Sequence, residues 1–244
     1  MTTKNYNYKV LLKWTFSAII DEKSRAVDGS VNLKRFRKRL AKKMSEIQNL
    51  TQEEYKFVYD TLVRGAKKIA AQANLEGKNN GIIPYKTFDE MYGNCRKVWL
   101  GVRQRTKIKR VRAQLKEGIF FMCSKHYPVA KDHADYQGKL YVHQGWRNLV
   151  KGSEYRSVSE YVKSNEILTL QSVMKNPPYL ITRPNCRHKL VTVPTQTVIS
   201  GDNLDKFRIN SHSKKMYSRE DYYDFRGDVY ATVQGIIENK KARN

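Results

Sequence analysis

The sequence predicts an α+β protein: a basic, mainly helical region over residues 1–117, then a small α+β region over 118–244 with short strands and a C-terminal helix. Three observations carry this. Apolar residues recur at helical spacing through most of the first half. After Gly118 they shorten into β-like runs separated by Pro, Gly and Asn. A helical period returns from Ser218.

Tyr6 to Ile20 mixes β-branched and aromatic residues with Lys9 and Lys13, and its pattern suits a strand or a helix equally. Leu33, Phe36, Leu40, Met44 and Ile47 then mark one face of a helix. Thr51 and Glu54 form a capping box for a second helix carrying Tyr55, Val58, Leu62, Ala66, Ile69 and Ala73, with Gly77 as its stop. The two make a helical hairpin. Pro84, Thr87 and Glu90 open a third helix with Met91, Cys95, Val98, Trp99 and Val102 on one side, continued by Ile108, Val111 and Leu115. Strands are expected at Ile119–Met122, Leu140–His143, Tyr179–Thr182, Leu190–Val193 and Thr197–Ile199, with a helical stretch from Val158 to Met174. Ser218 and Asp221 open the last helix, with Tyr222, Phe225, Val229, Val233 and Ile236 on one face and a basic tail after it.

Charge limits the partners. Against 47 Lys and Arg stand 23 Asp and Glu, a formal +24, so polyanions are attracted. Residues 1–116 hold 27 of the basic and 10 of the acidic side chains. Two stretches concentrate the cations: Lys34, Arg35, Arg37, Lys38, Arg39, Lys42 and Lys43, and then Arg103, Arg105, Lys107, Lys109, Arg110 and Arg112. Between 33 and 43 there is no acidic residue, which favours polyanion contact over a merely solvated face. Such helices would neutralise phosphate charge without reading sequence. No apolar run reaches the length of a membrane span, and Val10 to Ile20 is interrupted by Lys13. Three cysteines cannot all pair, and their sparseness suits a reducing compartment.

Chemistry concentrates in two segments: Cys123 to His126 leading into Asp132–Gly138, and Arg183–His188. Cys123, His126, Cys186 and His188 would make a Cys2His2 zinc set. The C-x-H spacing of the second pair is tighter than ordinary zinc sites use, and the competing reading makes both cysteines small buried residues with hydrogen-bonded histidines. An enzyme reading would use His133 as a base beside Asp132 or Asp135, with Cys123 or Cys186 as nucleophile, or would gather His126, Asp132, His133 and His188 as a nuclease centre. Nothing else supports either enzyme reading. There is no nucleophile elbow, phosphate-cradling glycine loop or H-E-x-x-H.

Lys131 to Tyr141, followed by Thr182 to Leu190, resembles the C-terminal signature of tailed-phage head-morphogenesis proteins, the Mu F-like minor capsid family. There a segment of the type x-x-H-A-x-x-(D/Q)-G-x-x-(Y/F) precedes a P-N-C-R-(C/H) ending. His133, Ala134, Gln137, Gly138 and Tyr141 match the first, and Pro184 to His188 the second. The resemblance covers about residues 119–194. Here Cys123, His126, Tyr127 and Pro128 stand where relatives usually carry an arginine or serine-proline element, and His188 stands where many carry Cys. The resemblance implies a non-enzymatic protein of the virion, inside or at the inner face of the capsid near the portal and required for head assembly or DNA delivery, assembled in the host cytoplasm and oligomeric in the particle. Its partners would be packaged DNA, contacted without sequence preference, and a portal or major capsid protein, with no membrane. The alternatives are a cellular nucleic-acid-binding protein with a structural zinc, or a nuclease or toxin-like domain using His133.

Overall fold

A computed structural model describes residues 4–25, 30–75, 84–126, 129–177, 179–184, 186–208, 229–232 and 234–235. The chain divides into two units, one formed by residues 1–102 and 224–244 and the other by residues 103–223.

In the first unit the ambiguous opening segment is a helix, α1 (Tyr8–Ser24), capped by Asn7, whose side chain accepts from the Lys9 amide. Its apolar residues Leu11, Leu12, Phe16 and Ile19 are buried, so tertiary burial settles what local pattern leaves open. The hairpin follows as α2 (Leu33–Ser45) and α3 (Gln52–Leu75). Phe36, Leu40 and Met44 are buried at the expected spacing, while Ile47 leaves the helix for a two-residue strand, β2 (Ile47–Gln48), parallel to β1 (Lys4–Asn5). The capping box is present: Glu54 N–H donates to Thr51 Oγ1 at 3.2 Å and Thr51 N–H to Glu54 Oε2 at 3.0 Å. Gly77 lies outside the described residues.

The third helix, α4 (Tyr85–Gln114), starts earlier than expected. Pro84 provides the first carbonyl, accepting from Phe88 N–H, so Thr87 is a buried interior residue and Glu90 instead pairs with Lys68 of α3 at 2.6 Å. Met91, Cys95, Val98 and Val102 are buried, with Trp99 packed beside them. At the C-terminus residues 229–232 are helical; Val229 is buried and the Tyr230 ring lies 5.1 Å from Tyr85 and 5.0 Å from Phe88. Ser218, Asp221, Tyr222, Phe225, Val233 and Ile236 lie outside the described residues.

The division between the units falls inside α4, and the described residues 229–232 and 234–235 belong with the first unit. The reason is packing. Val111 and Leu115 join the second unit's core, and Gln114 Nε2 donates to the Leu190 carbonyl at 3.1 Å.

The second unit is built on an antiparallel sheet of order β4-β3-β5: β4 (Leu140–Val142), β3 (Phe120–Cys123) and β5 (Leu190–Val193). Phe120 stands opposite Val142 on one side and Val193 on the other. Every β3 side chain is buried, as a central strand covered on both faces requires. Phe121, Cys123, Tyr141 and Leu190 pack with Val111, Leu170, Val173, Leu180 and Ile181. Phe120, Met122, Val142 and Val193 pack on the opposite face with Trp146, Val158 and Val198. After a short helix not anticipated from the sequence, α5 (Trp146–Leu149), the expected helical stretch from Val158 to Met174 resolves into α6 (Gly152–Ser164), which begins earlier, and α7 (Leu170–Lys175).

Two expected strands are corrected. Tyr179–Thr182 forms turns, with φ of 52° at Tyr179 and 71° at Ile181, because Leu180 is drawn back onto α7 through its N–H to the Val173 carbonyl. Thr197–Ile199 lies in a helix, α8 (Thr195–Ser200), begun after Pro194 and stopped by Gly201 at φ 71°. One-sided burial of Val198 overrides its β-branched composition. A short helix, α9 (Asp205–Arg208), follows. Among the described residues no helix is long and apolar enough to cross a membrane.

Candidate metal centre

β3 brings the two Cys/His segments together. At its end Cys123 carbonyl accepts from Gly138 N–H at 2.7 Å and Cys123 N–H donates to Lys139 on the β4 side. On the β5 side Ser124 N–H donates to the Lys189 carbonyl at 2.9 Å, and Ser124 Oγ accepts from Lys189 N–H at 2.8 Å. Two segments far apart in sequence therefore flank the same strand end.

The first segment is a single 3₁₀ turn, Lys131–His133, running into turns that end at Gly138. The His133 carbonyl accepts from both Tyr136 and Gln137 N–H at 3.1 Å. Gly138 has φ 71°, and a Cβ there would collide with the Lys125 side chain, so the chain turns into β4 at a position suited to glycine. The second segment is tethered twice: Asp132 accepts both terminal nitrogens of Arg183, the NH1 bond being 3.2 Å, and Lys107 donates to the carbonyls of Arg183, at 2.9 Å, and Cys186.

These tethers converge three buried side chains. His133, Cys186 and His188 offer ligand atoms all within 4.8 Å of one another, and could hold a metal ion. Cys186 Sγ lies 3.0 Å from His188 Nδ1 and 3.9 Å from His133 Nδ1. His188 Nε2 lies 3.3 Å from Gln137 Oε1. That oxygen accepts only, so it selects the His188 tautomer with its proton on Nε2 and leaves the Nδ1 lone pair facing the thiol. His126 borders the group, its Nε2 3.3 Å from His188 Nδ1 and the rings 4.1 Å apart. Gln137 Oε1 also accepts from His126 N–H at 3.0 Å.

The electrostatics suit a neutral imidazole and a reluctant thiol. Burial, aided by His126, His133 and Lys107, pushes His188 down to about 3. Burial raises Cys186 above the ordinary thiol value, opposed by the His188 amide and by Lys107. Lys107 is itself lowered to about 8, by burial first, with Arg103 and Arg110 adding to the effect. A doubly charged cation would reverse the penalty on the thiolate.

Of the expected zinc set, Cys186 and His188 stand at the centre and His126 stands beside it. Cys123 faces the apolar cluster of Phe121, Tyr141 and Leu190, and His133 holds the place expected for it. Burial pushes the Cys123 thiol strongly up. As a catalytic base His133 is badly placed, being 2% exposed, and its neighbour Asp132 is committed to Arg183. Sequence reasoning matches Gln137 to the H-A-x-x-Q-G pattern but assigns it no role at the site, for which the signal is its i, i+4 spacing from His133. Cys95 is a thiol of the first unit's core, pushed by burial up to about 12.

The two basic stretches resolve unequally. On α2, Arg35 and Arg39 reach Glu22 of α1, at 2.5 and 3.0 Å, and Lys43 reaches Glu46. Lys34, Arg37, Lys38 and Lys42 are exposed and have no carboxylate partner among the described residues. On α4, Lys107 is turned onto the 183–186 backbone, Arg105 is half-buried, and Arg103, Lys109, Arg110 and Arg112 are exposed.

No protein-family model, curated protein or solved structure matches this chain.

Proposed function

We propose that this chain is a minor capsid or head-morphogenesis protein of a tailed phage, structural and non-enzymatic, placed inside or at the inner face of the capsid near the portal. The observation that supports it is the meeting of the two signature segments. His133 and Cys186 enter one cluster, Gln137 orients His188, and Gly138 makes the turn between them and β4. Each of these signature positions therefore has a physical task in a single structural unit. Burial of His133 favours this role over a nuclease base, which must reach its substrate.

The metal would be zinc. One thiolate and two or three imidazoles are a borderline-soft set that suits it, held by His133, Cys186 and His188 with His126 beside them. When bound it supplies positive charge and a crosslink between residues 126–137 and 183–188. That crosslink would stabilise a unit whose sheet has three short strands. DNA would be contacted through Lys34, Arg37, Lys38 and Lys42 and through the exposed cations of α4, without sequence preference.

Two experiments test the proposal. The DNA flanking the coding sequence should encode a portal and a terminase, and co-expression with them and the major capsid protein should place the chain in assembled heads. Heads that form without it, or flanks lacking those frames, overturn the capsid reading. Metal analysis of the purified chain should find about one zinc per chain, lost in Cys186→Ser. Zinc absent from the native protein overturns the metal part alone.

A further inference from the structure

A cavity of about 280 Å³ lies within the second unit, against the face of α4 that carries Lys107, Arg110 and Gln114. These residues follow one another at i, i+3 and i+7, so they share a face of the helix. Lys189 and His188 close the other side, from the segment leading into β5. The lining therefore holds three cationic side chains and an amide, with no carboxylate among its residues. Val111 and Leu190 supply apolar wall, which lowers the local dielectric and strengthens each charge toward an incoming anion.

We propose that this cavity is a binding site for a phosphate group. Charge selects a multiply charged anion: Lys107 and Arg110 lie close enough to feel each other's charge, Lys189 adds a third cationic residue to the lining, and no carboxylate is among the lining residues. Size and lining point the same way. The volume, about 280 Å³, falls just below the range of small-molecule pockets, which begins at about 300 Å³. No Phe, Tyr or Trp lines it, and its one ring, His188, is engaged with Cys186 and Gln137, so no free platform is offered on which a base would stack. The Arg110 guanidinium, exposed and without a carboxylate partner among the described residues, supplies fork geometry for two phosphate oxygens. Gln114, whose Nε2 is used on the Leu190 carbonyl, and Lys107, held by the 183 and 186 carbonyls, fix the wall rather than swing with the ligand. The same Lys107 ties the cavity to the loop carrying Cys186. The site is independent of the capsid assignment and differs from the diffuse cation stripe on α2.

The source of the phosphate is either the free ion or the end of a polynucleotide, and titrations of the purified full chain separate them. Inorganic phosphate, followed by ³¹P line broadening at low salt, should bind saturably. Arg110→Gln should weaken it at least about tenfold, as loss of a charge-assisted fork requires. The combined Lys34→Gln, Arg37→Gln, Lys38→Gln and Lys42→Gln variant should leave it unchanged. A short oligonucleotide bearing a 5′-phosphate that binds at least about tenfold tighter than the unphosphorylated one identifies a polynucleotide end as the ligand; equal binding identifies the free ion. Failure of phosphate to saturate, or equal weakening by the α2 and Arg110 variants, overturns the site. Neither result bears on whether the chain enters heads.

Discussion

His188 and Gln137 stand in a relation that decides how the cluster behaves: Nε2 of the imidazole is 3.3 Å from the amide Oε1, and Nδ1 of the same ring is 3.0 Å from Cys186 Sγ. The glutamine sets the proton on the outer nitrogen and aims the inner lone pair. Gln137→Leu should lower zinc affinity about 10- to 100-fold, read by competition with a chromophoric chelator. His133→Ala and Cys186→Ser, which remove donors, should lose more. Affinity unchanged in Gln137→Leu would show that the ring is oriented by something else.

The turn after Gln137 gives a second expectation. Gly138→Ala places a Cβ in the left-handed region and against the Lys125 side chain, costing about 1–2 kcal/mol with a matching fall in the urea midpoint. A Lys125→Ala background should recover only part of the loss, because the backbone strain remains. Full recovery would make the side-chain clash the whole cause.

Glu22 predicts acid sensitivity in the first unit. Its side chain is fully enclosed, and burial opposes its ionisation, but the hydrogen bonds and charges of Arg35 and Arg39 outweigh this and hold its pKa below the ordinary 4.5. A lowered folded value means that the stabilisation is complete above about 4.5 and is lost as pH falls through the folded value. Denaturant midpoints should therefore drop below that pH, and less steeply in Glu22→Gln. At neutral pH, Arg35→Ala with Arg39→Ala should cost about 3–5 kcal/mol, since it leaves a buried carboxylate unpaired.

Capping at α3 is a local test. Thr51→Ala removes the acceptor of the Glu54 amide and should cost about 1 kcal/mol, seen as a lower melting temperature. An unchanged melting temperature would mean that α3 is held by its packing alone.

For DNA the exposed stripe of α2 separates charge from structure. Replacing Lys34, Arg37, Lys38 and Lys42 by Gln should weaken duplex binding at every sequence and flatten the salt slope by about 0.9 for each phosphate no longer neutralised. Arg35→Gln with Arg39→Gln should act mainly on stability, because those guanidinium groups are engaged with Glu22. Loss of binding confined to the second pair would reverse this division.

Much of the fold is legible in the sequence. The α+β class, the α2–α3 hairpin, the Thr51 capping box and the strands at 120–123, 140–142 and 190–193 follow from spacing and cap chemistry, which are local. So does the identity of the two segments that carry the cluster. Other features depend on what the chain folds against. α1 is a helix through burial of Leu12 and Phe16, and residues 195–200 are helical because Pro194 and Gly201 bound a stretch with one buried face. Sequence spacing pairs Cys123 with Cys186, but a central strand alternates its side chains between two packed faces, and the one bearing Cys123 is apolar. The 3₁₀ turn puts His133 into that place instead. Composition counts the α2 cations as one set, and only packing against α1 divides them into those engaged with Glu22 and those open to a polyanion. Which residues can do chemistry or carry charge is written in their order along the chain; which of them meet is settled by folding, because distance, burial and pairing depend on segments far apart in sequence.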